Sequence, residues 1–216
     1  STFHPEFAHL PRKFKIAVNG AVSDRAAIEV HDIGLEAVKN EAGELGFRVS
    51  VGGGLGRTPI VGSFINEFLP WQHLLGYLDA ILRVYNRYGR RDNKYKARIK
   101  ILVKALTPEV FAERFDAEWA NLKDGPSTLT EAEVQRVAAH FVDPAYSAVD
   151  DLDEALARLD AEHPGFARWR ARNTFAHKKP GYVAVTLSLK PTGTAPGDVT
   201  DKQLEAIADL ADRYSF

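Results

Sequence analysis

Two residue types are missing from the 216-residue chain altogether, cysteine and methionine. Without cysteine the chain forms no disulfide, carries no thiol nucleophile and offers no thiolate to zinc or to an iron–sulfur cluster. No apolar run approaches the about 18 residues that a membrane span needs, and no secretory leader opens the sequence. The seven histidines are scattered, without a His-x3-His or His-Glu-x2-His spacing, so no metal site is expected. A P-loop and a Gly-x-Ser-x-Gly elbow are also absent. The net charge of −1 directs the whole chain to no particular partner. The 45% hydrophobic and 26% charged content is that of an ordinary globular protein, long enough for one large domain or two small ones. Position 1 is Ser rather than Met, and a helical pattern runs straight to Phe216. Both lead us to expect a cut or processed piece of a longer polypeptide.

Periodicity organises what is present. Phe14, Ile16 and Val18 alternate with Lys13, Lys15 and Ala17, which predicts a strand, and Asn19-Gly20 predicts a turn. Short strands are expected over 27–30 and at Phe47, Val49 and Val51. From Pro70, read as a first helical residue, Leu74, Leu75, Leu78, Leu82 and Tyr85 form a helical stripe that stops near Gly89. Further helices are expected over 94–106 and 107–122. The string 123–127 is the best boundary signal. After it come a helix capped by Thr130 and Glu133, and an acidic helix over 150–162 ended by Pro164-Gly165. The Asp150-Asp151 pair on that helix reads as structural. A strand over 181–190 is expected to bury Val183, Val185, Leu187 and Leu189. A last helix, boxed by Thr200 and Gln203, is expected to turn Leu204, Ile207, Ala208 and Ala211 inward.

Three features carry chemistry. Lys13 and Lys15, two residues apart on a strand, project to one side roughly 7 Å from each other. They invite an anion between them, or they form a solvated edge that resists aggregation. Gly52-Gly53-Gly54-Leu55-Gly56 follows a strand; its missing side chains admit a flat or anionic ligand, or simply make a flexible turn. Residues 83–104 hold nine Lys and Arg against Asp92 alone, with Tyr85, Tyr88 and Tyr95 interleaved. With no counter-charge nearby in sequence, this stretch reads as a site for a polycarboxylate or a nucleic acid.

The strings Leu10-Pro11-Arg12-Lys13-Phe14-Lys15 and Val51-Gly52-Gly53-Gly54-Leu55-Gly56, with the basic stretch 91–100, occur in this order in one family. The chain resembles the sirohaem-containing assimilatory sulfite and nitrite reductases. Residues 173–216, with His177-Lys178, Gly181-Tyr182, Gly193, Pro196-Gly197-Asp198 and Thr200, resemble the start of that family's second ferredoxin-like half. The resemblance implies an α+β fold. A sirohaem-binding mixed-sheet domain with helices would occupy 1–123, a helical linker 124–165, and part of a ferredoxin-like half-domain 166–216.

It further implies that Lys13 and Lys15 are the catalytic pair that binds and protonates the oxyanion. Arg12, and some of Arg91, Lys94, Arg98 and Lys100, would meet the eight carboxylates of sirohaem, while Gly52, Gly53 and Gly54 pack on the macrocycle. The implied activity of the parent is six-electron reduction of sulfite to sulfide or of nitrite to ammonia. Its electron donor would be ferredoxin or a flavoprotein reductase, in the cytoplasm and away from membranes. The family's 4Fe–4S cluster needs four cysteines, one bridging to the sirohaem iron, and its first ferredoxin-like half precedes these motifs. The implied identity is therefore an internal fragment with neither sirohaem nor cluster bound. The rival class is a non-enzymatic module binding nucleic acid or other anions through 83–104. Such a module has no use for the glycine string or for Lys13 and Lys15.

Overall fold

The structure, a computed structural model, describes residues 4–149 and 152–215. The expected helix start at Asp150 and Asp151, and the residues Ser1 and Phe216, lie outside the described residues. The architecture is α+β, in two compact units, Ser1–His140 and Phe141–Phe216.

The first unit is built on a mixed sheet of β1 (Ile16–Asn19), β2 (Ile33–Lys39), β3 (Leu45–Val51) and β4 (Ser63–Pro70), in that spatial order. β1 runs parallel to β2, with Ile16 opposite Ile33, and the remaining pairs are antiparallel. Helices α1 (Leu74–Tyr88), α2 (Ile99–Leu106) and α3 (Pro108–Leu122) close one face. There Ile33, Leu35, Val49 and Val51 bury against Tyr77, Ile81, Tyr85, Ile99, Phe111 and Phe115. Each such buried side chain contributes about 1.5–3 kcal/mol relative to exposure. By register, Ile16 shares a row with Ile33 and Val51, and Val18 with Leu35 and Val49. Both nevertheless stay exposed, because β1 is an edge strand beyond the reach of the helices. The alternate row, Ala17, Gly34 and Ser50, is buried. The crossover from β1 to β2 approaches that row, bringing the carbonyl of Ile28 to 2.6 Å from where a Cβ on Gly34 would stand.

Several expectations are corrected. Residues 28–30 form a 3-10 turn rather than a strand. Asp24 accepts hydrogen bonds from the backbone N–H groups of Ala26 and Ile28, and Ala27 adopts φ 52°, which curls the segment. Pro70 ends β4, and a 3-10 turn at Trp71–His73 precedes α1. Leu75 faces solvent, and Gly76, Tyr77, Ala80, Ile81, Val84 and Tyr85 share the buried face with Leu82. The helix expected over 94–106 is split into a 3-10 turn at Lys94–Lys96, capped by the Asn93 side chain, and α2 from Ile99. Strands β2 and β4 were not anticipated from periodicity.

The first unit ends with α4 (Glu131–Ala138), capped by Thr130. The second contains α5 (Asp153–Glu162), α6 (Pro164–Asn173), the antiparallel pair β5 (Thr174–Ala176) and β6 (Val183–Val185), and α7 (Asp201–Tyr214). Pro164 opens α6 at its first position instead of only ending α5. The Thr200–Gln203 capping box is formed in full. The burial expected of the last strand and helix is largely overturned. Val183, Val185, Leu187, Leu204, Ala208 and Ala211 are exposed and Leu189 and Ile207 only half-buried, because a two-stranded sheet offers no second layer to cover them.

Candidate anion-binding site

The site grows from a carboxylate that periodicity did not single out. Asp32 stands at the entry to β2 and is fully buried. Its two oxygens accept from Nε of Arg98 at 3.1 Å and from Nη2 in a closer contact, a bidentate fork. Its Oδ2 also accepts the backbone N–H of Lys15 at 2.9 Å, and its carbonyl accepts the N–H of Gly52 at 2.9 Å. One residue thereby ties together the segment before β1, the start of the glycine string and the N-cap of α2. The hydrogen bond to Asp32 raises the pKa of Arg98 further above its already high ordinary value, against the opposing effect of burial. The sequence signal for Asp32 was slight, a lone acid ahead of an apolar stretch.

Two small clefts flank Arg98. One, of about 290 Å³, is lined by Lys15, His31, Gly54, Leu55, Arg98 and Lys100 among others. The other, of about 220 Å³, is lined by Arg12, Arg57, Lys94, Tyr95, Arg98 and Lys100 among others. Five expected site cations, Arg12, Lys15, Lys94, Arg98 and Lys100, are thus brought to adjoining clefts. Lys13 is exposed and lines neither, nor does Arg91. Arg91 instead donates to the carbonyls of His9 and Asn86 and to Oδ1 of Asn86, fastening the N-terminal segment to the end of α1. His31 and Arg57 join the clefts without having been expected there, and Leu55 and Gly56 join them from the far end of the glycine string.

The glycine string is set by packing within the protein. Gly52 has φ +83°, and a Cβ there would meet the Val103 side chain at 3.1 Å. A Cβ on Gly53 would lie 2.2 Å from the carbonyl oxygen of Glu29, inside the crossover turn. One on Gly54 would lie 2.9 Å from Cδ of Lys100, whose stem crosses the string. Nζ of Lys100 then donates to the carbonyls of Leu55 at 2.9 Å and Thr58 at 2.6 Å, holding the loop's far side.

The reading of 83–104 as an uncompensated patch is corrected. Arg83 pairs with Glu6 at 3.1 Å and with Glu118 at 3.0 Å. Arg87 reaches Glu118 at 3.6 Å, Arg90 takes Asp92 at 2.6 Å, and Arg98 takes Asp32. Apart from Asp92, which the local count already held, these partners come from outside the stretch, where a local count of charges does not find them. Nor do the tyrosines form a stacking row. Tyr85 is buried, its hydroxyl donating toward the carbonyls of Arg12 and Ala97, and Tyr88 lies beneath Arg114. Tyr95 alone of the three is largely exposed. Among the described residues no side-chain hydrogen bond or ion pair engages Nζ of Lys15, and no group of three or more His, Asp or Glu could hold a metal.

A mixed sheet backed by three helices, with clefts lined by cations at one end of its strands, defines an α+β domain. The family described as nitrite and sulphite reductase 4Fe-4S domain matches residues 1–123, and the chain belongs to it. A sulfite reductase (ferredoxin) 1 of Mycolicibacterium paratuberculosis is 32% identical over 142 residues, 62% of this chain and 25% of that protein. A sulfite reductase (NADPH) hemoprotein beta-component of Staphylococcus epidermidis is 35% identical over 105 residues, 45% of this chain and 18% of that one. The solved structure of Mycobacterium tuberculosis NirA superposes with a TM-score of 0.60 at 26% identity, covering 97% of this chain and 31% of NirA. The chain spans about a quarter of the length of the first of these relatives.

Proposed function

We propose that the chain supplies the basic, oxyanion-facing part of a sirohaem site in a sulfite or nitrite reductase. The observation that carries this reading is the convergence of Lys15, Arg98 and Lys100 with Gly54 on one cleft, with Arg12 and Lys94 beside it. Volumes of about 290 and 220 Å³ are at or below the small end of ligand pockets, about 300–1,000 Å³. They suit carboxylate arms rather than a whole macrocycle. The donor chemistry fits an octacarboxylate tetrapyrrole, since guanidinium and ammonium groups are what carboxylates bind best. The cluster named in the family description does not fit these residues, because the chain has no cysteine, and no step is assigned to it.

Sirohaem, when bound, would supply the iron centre for six-electron reduction of sulfite to sulfide or nitrite to ammonia. Electrons would arrive from ferredoxin or a flavoprotein reductase through the whole polypeptide. Arg12, Lys94, Arg98 and Lys100 would neutralise the carboxylates. Lys15 brings an ammonium without a partner among the described residues, able to offset the oxyanion's charge and to hold a proton at Nζ for it. Lys13, two residues earlier, adds positive field from the exposed side.

The test is direct titration of the protein with uroporphyrin, which has eight carboxylates, and with protoporphyrin, which has two. Uroporphyrin is expected to bind at least about tenfold more tightly, and Lys15→Gln and Arg12→Gln each to weaken it. Equal affinity for the two porphyrins, or unchanged binding in both variants, would defeat the reading.

A further inference from the structure

The deepest negative charge of the site lies beneath its cations. Resting on the proposed anion site, we infer that Asp32 is a positioning residue, which aims Arg98 and the Lys15 backbone at the cleft before any ligand arrives. A carboxylate under an anion-binding guanidinium weakens the raw attraction for an anion, so field strength does not explain it. Geometry does. Arginine has five N–H donors in a rigid plane. Asp32 engages Nε and Nη2, fixing that plane at the cleft wall and leaving the remaining donors for a ligand. The same carboxylate fixes the extended backbone at Lys15, and its own carbonyl fixes Gly52. The three pieces of the cleft are thus ordered by one side chain and its peptide group, and the ordering cost is met in folding rather than in binding.

Field and positioning predict opposite signs. Asp32→Asn removes a negative charge, so if charge alone mattered uroporphyrin would bind more tightly. If Asp32 positions Arg98, Asp32→Asn binds about tenfold more weakly, with near-ultraviolet circular dichroism unchanged. Arg98→Gln is also expected to weaken binding, and the Asp32→Asn/Arg98→Gln double variant to be no weaker than Arg98→Gln alone, because an amide oxygen can still accept from the Lys15 N–H and the loss then runs through the fork to Arg98. A purely structural Asp32 would give additive losses. Tighter binding by Asp32→Asn, or additivity, overturns the inference. Unchanged binding by Arg98→Gln removes Arg98 from the anion site and points instead to failure of the underlying reading. Should Asp32→Asn not fold, Arg98→Lys decides. It keeps the charge and loses the fork, so undiminished affinity there overturns the inference, and a loss of about fivefold or more supports it.

Discussion

A buried phenol shows how much a single residue carries. The Tyr85 hydroxyl joins the carbonyls of Arg12 and Ala97, at 3.0 and 2.7 Å, from inside the core. Burial pushes its pKa up to about 12, and Tyr77 behaves alike. An unfolded tyrosine ionises near pH 10. Between about pH 10 and 12 the unfolded chain therefore gives up its proton first, and folding stability falls as pH rises. Thermal melts should be insensitive to this effect below pH 10 and drop through that window. Tyr85→Phe should cost about 1–2 kcal/mol at neutral pH, since two buried carbonyls lose their donor. It should also fall less steeply from pH 10 to 12 than the unsubstituted protein. Parallel curves for the two proteins would show that the phenol does not titrate as described.

At the level of elements, the junction between α2 and α3 stores strain. Thr107 caps α3 at φ 71°, ψ 155°, a region that only glycine enters freely, at a cost of about 1–3 kcal/mol. Its hydroxyl meets the N–H of Val110 at a long 3.5 Å, so little capping is lost with the side chain. Thr107→Gly is expected to stabilise by about 0.5–1 kcal/mol after the entropy of a more flexible unfolded chain is counted. Urea unfolding reads this directly, and a loss of stability would show that the cap outweighs the strain. Which elements were legible follows from similar local causes. β3 and α3 keep one regular period and were read correctly, as was the body of α1, though not its start at Pro70 or the facing of Leu75. β4 was missed because register shifts between Phe47 and Ser50 of its partner strand break the alternation. β2 was missed because its start is covered on both faces, so Gly34 sits where a patterned side chain would have been. The cations of the site were visible as residue types. Asp32, which orders them, was not, because a partner 66 positions away leaves no periodic trace.

Across the whole molecule, the two units differ in what holds them. The buried apolar residues run from Phe7 to Phe115, and helices α5, α6 and α7 bury no residue among those described. Amide exchange should reflect this. Protection in α1 and β3 should approach that of global unfolding, while β5, β6 and α7 in this chain should exchange orders of magnitude faster. Equal protection of α7 and α1 would contradict that division. No helix among the described residues is long and apolar enough to cross a membrane.

The stitching of the N-terminal segment to the basic stretch has a consequence in time. Arg12 donates to the carbonyl of Lys94 and Arg91 to that of His9, each across 82 positions, and Arg83 reaches Glu6 across 77. At about 5–20 residues per second, a ribosome makes the second member of each pair roughly 4–16 s after the first. Through that interval Phe7 and Phe14 are synthesised but cannot yet be sheltered by α1. The segment 6–14 is thus made before the residues that fasten it and must wait for them, and translation speed through residues 12–94 sets how long it stays open to chaperones and proteases.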